Sequence, residues 1–457
     1  MSRQRPNRPL AALLAEAGWN AGELARAVNA LGTTRSLALR YDRTSVAHWL
    51  AGSRPRAPVP ALVAEVLSTR TGRLLLPEDT GLTRLPPGHA APPGPWPGQG
   101  DPAAHLIDLT RGDSDPARRA LFLQDGQPRS LYSPAVLALL EWPDRPPAEA
   151  RPTRAGATAA DAQTLQEMTR VFADLAEHHG GGHIRSALAA YLADDAGRVL
   201  TAEAPETVRR DLLTAGAQLT HLLGKMTADA GYPALAERYY RTAMGLAHAG
   251  GSRPTYAITL RAMSVQALRV RQFRPALQLA EVAVRTATPA APPAALAFLL
   301  TQRAAAHAYQ RHPHAALRDL DTAQEHHRGA SGPPGPFSDY PRAGLDYQRG
   351  QTLLALGRLT DGLSALRDSA LHRPAHQRRA AALTNAAIAE TLLTLGHLEE
   401  ACAHWHVFLD LYPHLTSLQA DRALGRMLAR LRPHQRHRQA DSVRERGRLL
   451  SAERRRR

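Results

Sequence analysis

The sequence predicts an all-α protein: a small helical module, a disordered linker and a long array of stacked helix pairs. Three observations carry this. Hydrophobic residues make up 44% of the chain but aromatics only 5%, so the apolar surface is mostly Ala, Leu and Val, which suits closely packed helices better than a β-sandwich. Apolar residues recur at helical spacing through most of the chain, interrupted by one Pro- and Gly-rich stretch. Very small side chains recur in a single register about every forty residues along the second half. At 457 residues the chain exceeds what one compact core serves, so several domains are expected. Their boundaries read as 1–82, 83–158, 159–415 and 416–457.

The first module begins with PLAALLAEAGWNAGELARAVNALG, two helical runs. Asn20 suits the N-cap of the second, with Glu23 three residues on to complete a capping box. In YDRTSVAHWLAGSRP, Asp42 caps a third helix, Val46, Trp49 and Leu50 form its apolar stripe, and Gly52 ends it. PVPALVAEVLSTRTG supplies a fourth, with Val59, Leu62, Val63, Val66 and Leu67 facing inward and Gly72 closing it.

From residue 83 the text changes. LPPGHAAPPGPWPGQGDP is too rich in Pro and Gly to sustain a helix or sheet, and residues 83–158 read as a mobile linker. One apolar island within it, LYSPAVLALLEWP, reads as a short segment packing on a neighbour.

The array carries the strongest signal. Ala236, Ala276, Ala316, Gly362 and Ala401 are spaced by 40, 40, 46 and 39 residues. Twelve residues before each lie Gly224, Ser264, Ala304, Gly350 and Ala389; seven after lie Ala243, Ala283, Ala323, Ser369 and Phe408. Fourteen of these fifteen are Ala, Gly or Ser. Two helices approach closely only where both carry small side chains at the crossing, and a unit this short buries its apolar face only by stacking on neighbours. The expected result is a curved spiral with an open inner wall. Upstream, DLAEHHGGGHIRSALAAYLADDAGRVL reads as a further helix pair that starts the array. HHGGGH invites a metal reading, but a glycine triplet is a poor scaffold for ligands, and a helix end explains it better. The last 44 residues carry thirteen Arg against four acids. They are expected to form one or two capping helices facing the array through Leu428 and Leu431, with non-specific contact to DNA phosphates as the other reading.

Charge and chemistry exclude several classes. The net charge is +16, and Lys225 is the sole lysine. So strong an arginine bias, with abundant Ala and Pro, reads as the codon usage of a GC-rich bacterial genome, so basicity alone does not establish nucleic-acid binding. Cys402 is the single cysteine, which precludes an intramolecular disulfide. No window approaches 18 uninterrupted apolar residues, so a cytoplasmic protein without a membrane partner is expected. There is no phosphate-binding glycine loop, nucleotide fingerprint or HExxH sequence. Cys402 in EACAHWH reads as a small buried residue despite His404 and His406 nearby. No enzymatic activity, catalytic residue, metal or cofactor is expected.

The array resembles the tetratricopeptide repeat family from about Ala217 to Pro413. LLGKMTADAGYPALAERYYRTA matches it at Leu223, Gly224, Gly231, Ala236, Tyr240 and Ala243, and ETLLTLGHLEEACAHWHVFLDLYP at Leu395, Gly396, Ala401 and Pro413. The repeat is longer than the usual length of about 34 residues, with HHRGASGPPGPFSDYP among the longer loops, and Arg271 and Arg311 stand where the family often has its second glycine. The resemblance implies a tetratricopeptide-like α-solenoid whose first helices line a groove through His221, Lys225, Arg261, Arg269, Tyr309, Tyr347, Gln351 and Glu390. Lys225, Arg261 and Arg269 then clamp a carboxylate or phosphate of a peptide or protein partner; a solvated helix face is the other reading.

The first module resembles a lambda-repressor-type helix-turn-helix, on ELA in the second helix and RTSVAHWLAGSRP in the third. In that family the recognition helix enters the major groove of double-stranded DNA. The resemblance places Arg43, Thr44, Ser45 and His48 at base edges and Arg54 and Arg56 at phosphates. TTRSLALRYDR is longer than the family's usual connection. Either it adds backbone contacts through Arg35 and Arg40, or the module serves packing alone. Together the two resemblances are similar to Streptomyces regulators of differentiation and antibiotic production. They imply a transcriptional regulator that binds DNA at one end and a peptide, small molecule or protein at the other. A protein-interaction scaffold is the alternative. A palindromic operator would call for a homodimer, although no heptad seam marks one.

Overall fold

The computed structural model describes residues 6–34, 37–56, 58–71, 80–82, 100–115, 140–143, 156–288, 290–329 and 339–456. Among these no strand occurs, and no helix is long and apolar enough to cross a membrane. The chain divides into two compact units, residues 1–93 and 94–457.

Among the described residues, four helices build the first unit: α1 (Arg8–Ala17), α2 (Ala21–Thr34), α3 (Arg43–Leu50) and α4 (Val59–Thr71). Local chemistry sets their ends. The Asn7 side chain caps α1 by accepting from the Leu10 amide at 3.1 Å. The Glu23 amide donates to Asn20 Oδ1 at 3.0 Å while the Asn20 amide donates to Glu23 Oε2 at 2.7 Å, the reciprocal pair expected from the sequence. Leu10, Leu24, Val28, Val46, Trp49, Leu62, Val63 and Leu67 are buried in one cluster, and full burial of such side chains contributes about 1.5–3 kcal/mol each. The described part of the long connection before α3 is pinned at Tyr41. Asn29 Nδ2 donates to the Tyr41 carbonyl at 2.7 Å, the Tyr41 amide returns a bond to Asn29 Oδ1 at 2.9 Å, and the Tyr41 ring meets Trp49 edge-on at 5.1 Å. Arg35 and Gly72 lie outside the described residues.

Among the described residues of the second unit, five helix pairs carry the register: α9 (Glu206–Asp229) with α10 (Pro233–Ala249), α11 (Arg253–Arg269) with α12 (Phe273–Ala287), α13 (Pro293–Tyr309) with α14 (Pro313–Arg328), α15 (Arg342–Ala355) with α16 (Leu359–Leu371), and α17 (Arg378–Thr394) with α18 (Leu398–Leu411). Each second helix also packs on the first helix of the next pair. All fifteen register positions are buried. A Cβ on Gly350 would lie 2.8 Å from Leu366 and 3.1 Å from the Gly362 carbonyl, and one on Gly224 would lie 2.7 Å from the Tyr240 ring. The small residues are therefore a steric requirement of the crossing.

The turns within the pairs obey one rule. Gly231, Arg271, Arg311, Gly357 and Gly396, each five residues before the crossing residue, all adopt positive φ, between 60° and 97°. The following amide reaches back five residues in every case, as from Gln272 to Ala267 and from His397 to Leu392, both at 2.9 Å. This is the Schellman closure, in which a left-handed residue lets the chain turn while capping the helix. Arg271 and Arg311 accept that conformation at a cost a glycine would avoid.

Three expectations need correction. The stretch 83–158 is not linker throughout: α5 (Pro102–Ser114) is a docked helix. Its Leu106 and Asp113 are fully buried; Asp113 is ion-paired to Arg185 and accepts from Tyr239 Oη at 2.6 Å. Of LYSPAVLALLEWP only the last four residues are described. Leu140 is buried and Trp142 meets the rings of His248 and Tyr256 edge-on at 5.0 and 5.2 Å. Second, the inner wall is not open along its length. Helix α6 (Ala159–His179), which with α7 (Gly181–Ala193) and the short α8 (Asp195–Leu200) precedes the first pair, also packs on α17 of the fifth pair. Third, the basic tail does more than cap. It folds as α19 (Leu418–Leu431) and α20 (Arg438–Arg456), with Leu431 buried and Leu428 half-buried, and α19 packs on α17.

Replacing Arg271 or Arg311 by Gly is expected to raise stability by roughly 0.5–1 kcal/mol each, because relief of left-handed strain exceeds the added freedom of the unfolded chain. Gly350→Leu is expected to lower it by about 1–3 kcal/mol through overpacking. Urea denaturation of the three variants checks both signs; a loss on Arg271→Gly would contradict the turn assignment.

Candidate functional sites

The first candidate is the outer face of α3. Burial of Val46 and Trp49 turns Arg43, Thr44 and His48 outward, and all three are exposed. Arg54 and Arg56, beyond the helix end, are exposed as well. Ser45 differs. It is half-buried, its hydroxyl donates to Asp42 Oδ1 at 2.8 Å and its amide donates to the same carboxylate at 2.8 Å. These bonds hold the Asp42 carboxyl below its ordinary value. The Ser45 hydroxyl is thus committed to starting the helix, which the sequence reading did not anticipate.

The second candidate is a cavity of about 520 Å³ on the first-helix wall of the array. Four of the eight residues assigned to the groove line it: Arg269, Tyr347, Gln351 and Glu390. The other four have different surroundings. His221 is buried beside Thr259, its Nδ1 at 3.2 Å from the hydroxyl, and burial pushes its imidazole down to about 3. Lys225 donates to Glu177 at 2.9 Å. Arg261 donates through Nε to the Phe298 carbonyl at 2.8 Å and lies over the Phe298 ring at 3.5 Å. Tyr309 is stacked on Phe273, ring centroids 5.2 Å apart. The expected clamp of Lys225, Arg261 and Arg269 therefore does not form, because two of the three cations are spent on neighbouring helices.

The opposite wall comes from the tail, and the sequence reading missed it. Gln419, Arg422, Arg426 and Arg430 of α19 line the same cavity. A signal was present: three arginines at intervals of four share one helix face. Arg426 Nε donates to Glu390 Oε1 at 2.8 Å, and Arg430 reaches the Glu390 carbonyl and the Thr394 hydroxyl, both at 3.3 Å. Leu354, Leu383 and Ala386 supply an apolar floor.

What holds the two walls together is a buried carboxylate. Asp229, at the end of α9, accepts from the Gly181 amide at 3.0 Å, from Arg379 at 2.9 and 3.1 Å, from Ser417 Oγ at 2.8 Å and from Gln419 Nε2 at 3.1 Å. A negative charge at a helix C-terminus opposes the helix dipole, so its partners must supply the compensation. Against the cost of burial, Arg379 and these hydrogen bonds hold the carboxyl down at about 2. Glu177 beside it is likewise held at about 2, Lys225 and Arg379 outweighing burial. The glycine triplet makes the seam possible. Gly180 ends α6 with φ 86°, and a Cβ there would lie 2.6 Å from the Thr416 carbonyl. The Gly182 amide donates to that carbonyl at 2.9 Å, and the Thr416 amide donates to the His179 carbonyl at 2.7 Å. HHGGGH is thus a helix boundary and a docking surface for the tail. Cys402 is buried, and burial raises its thiol above the ordinary value.

Residues 10–83 match the family model described as the SP15 N-terminal domain. The matched span begins in α1 and runs just past Leu82, the last described residue of the first unit. It covers a small part of the 457-residue chain. No curated protein matches the chain.

The seam implies a pH dependence. Carboxyls whose folded value lies below the unfolded one stabilise the protein above the unfolded value and lose that contribution as pH falls through the folded one. For Asp229 and Glu177 the window runs from about pH 4.5 down to about pH 2. Asp229→Asn is expected to remove about 2 kcal/mol or more at pH 7 and to flatten the acid limb. Urea midpoints at pH 7 and pH 3 check this: an unchanged difference between the two pH values would contradict the assignment.

Proposed function

We propose that the chain is a ligand-responsive transcriptional regulator whose first unit binds double-stranded DNA through α3 and whose helix-pair array holds a partner in the cavity. The observation that carries it is the division of labour on α3. Its apolar stripe is buried while Arg43, Thr44 and His48, followed by Arg54 and Arg56, form one exposed, basic, hydrogen-bonding face. Such a face suits a helix laid in the major groove, with the flanking arginines on phosphates. The pinned connection before α3 supports this, since it fixes the helix on α2 despite the added length. The resemblance of the sequence to tetratricopeptide arrays, and of the combination to Streptomyces regulators, motivates the same reading. The walling of the cavity by α19 favours a compact ligand over a long extended peptide. No enzymatic step is part of this reading.

The full chain, presented with a pool of random duplexes, is expected to enrich a preferred sequence. Its affinity should fall steeply with salt by counterion release. Arg54→Ala should weaken binding to all duplexes alike, His48→Ala should relax preference at one position by about 1–3 kcal/mol, and Ser45→Ala should act through helix stability, about 0.5–2 kcal/mol. Absence of any duplex binding at low salt would overturn the proposal and leave a protein-interaction scaffold.

A further inference from the structure

The cavity between the first-helix wall and α19 has an uneven charge balance. Four guanidinium groups line it, on Arg269, Arg422, Arg426 and Arg430, against one carboxylate, Glu390; three positive charges are left over. Glu390 is already paired with Arg426. Among the described residues no carboxylate lies within ion-pair distance of Arg269, Arg422 or Arg430. That arginine rather than lysine stands at these positions carries no weight, since the chain has a single lysine. Their convergence does. Arg422, Arg426 and Arg430 come from one face of α19, while Arg269 comes from α11, some 150 residues earlier in the chain. Two helices so remote in sequence gain nothing in stability by turning like charges toward one cavity, because like charges repel.

Crowding reinforces this. Arg269, like the three arginines of α19, keeps exposed surface, yet desolvation against the wall, and then Arg379, hold its guanidinium below its ordinary value. A site that keeps excess positive charge in such surroundings is preorganised for an anion. A single carboxylate would leave two charges unanswered. A phosphate group accepts several guanidinium forks at once, and two linked phosphates match three charges more closely. The rest of the cavity is not uniformly polar: the ring of Tyr347 and the Leu354 and Leu383 side chains offer a surface for an apolar or flat body. A volume of about 520 Å³ lies in the range occupied by small organic ligands.

We infer that this cavity binds a small organic molecule carrying two or more phosphate groups, with its phosphates against Arg269 and the Arg422, Arg426 and Arg430 stripe of α19. The inference rests on the sensor half of the proposed function and names its ligand class. Because α19 supplies one wall and Ser417 and Gln419 at its start are bound to Asp229, occupancy also strengthens the docking of the tail.

Titration calorimetry on the full chain tests it with inorganic pyrophosphate and adenosine diphosphate as probes, and with inorganic phosphate and a tetraglutamate peptide as comparators. Both diphosphate probes are expected to bind at one site per chain, at least tenfold more tightly than phosphate or the peptide. Arg422→Ala, a change at an exposed helix position, is expected to weaken them about tenfold. Arg269→Ala should do the same from the opposite wall, and Arg54→Ala on the first unit should leave them unchanged. Thermal melts of the variants establish that they fold. No binding of either diphosphate, binding that both cavity variants leave intact, or tighter binding of the peptide would overturn the inference. Duplex binding measured on the same preparations separates the two claims. Diphosphate binding without DNA binding removes the regulator and keeps the site, whereas DNA binding without diphosphate binding removes only the site.

Discussion

The Asp229 carboxylate is the constraint on which the second unit turns. It stands at the end of the first repeat's leading helix, yet its donors come from the start of α7, from α17 of the fifth pair and from the entry to α19. Stacked helix pairs have no intrinsic reason to bring their first and last members together, because each pair contacts only its neighbours. Here a buried charge, with Glu177 beside it, ties both ends. Its partners are positioned by features that look unrelated in the chain: a glycine triplet that lets Thr416 approach, and Arg379 at the second position of α17. Removing one partner of such a pair leaves the other charged and buried, which costs several kcal/mol. The arrangement is therefore closed as a unit or lost as a unit.

The cavity follows from that closure. An array of helix pairs alone offers a wall, and on this wall most of the polar side chains are committed to neighbouring helices, as Lys225 is to Glu177 and Arg261 is to Phe298. Arg269, the arginine of this wall that lines the cavity, faces it across from the arginines of α19 because that helix is held opposite. The tail acts as a wall of the site as well as a cover for the last repeat. The first unit has its own core and its own caps, and the exposed face of α3 is defined by local packing within it.

What was legible in the sequence is what repeats or what is local. The register of small residues located all five crossings, since the volume limit at a crossing leaves few residue types. The Asn20–Glu23 and Asp42 caps were readable because they depend on residues three apart. Arg271 and Arg311, read as departures from a glycine position, prove to hold the same left-handed turn as the glycines. The rest was hidden by distance along the chain. Nothing in the text around Asp229 marks a carboxylate that meets residues 150 and 190 positions later, and no periodicity announces that PAAHLIDLTRGDS, between two Pro-rich stretches, carries the aspartate that Arg185 needs. The α19 arginines were visible as a stripe, but their role depends on where the helix docks, which only the seam determines. Half of the expected groove residues moved out of the site for the same reason: a solvent-facing position on an isolated repeat becomes a contact once the next helix arrives.

A double-mutant cycle on Asp229 and Arg379 tests the closed array most directly, using Asp229→Ala, Arg379→Ala and the pair in urea denaturation at pH 7. Closure predicts a coupling free energy of about 2 kcal/mol or more, at the upper end of what contacting residues show. A coupling below about 0.5 kcal/mol, with the two losses simply adding, would mean that the first and fifth pairs do not meet and that the cavity has no second wall.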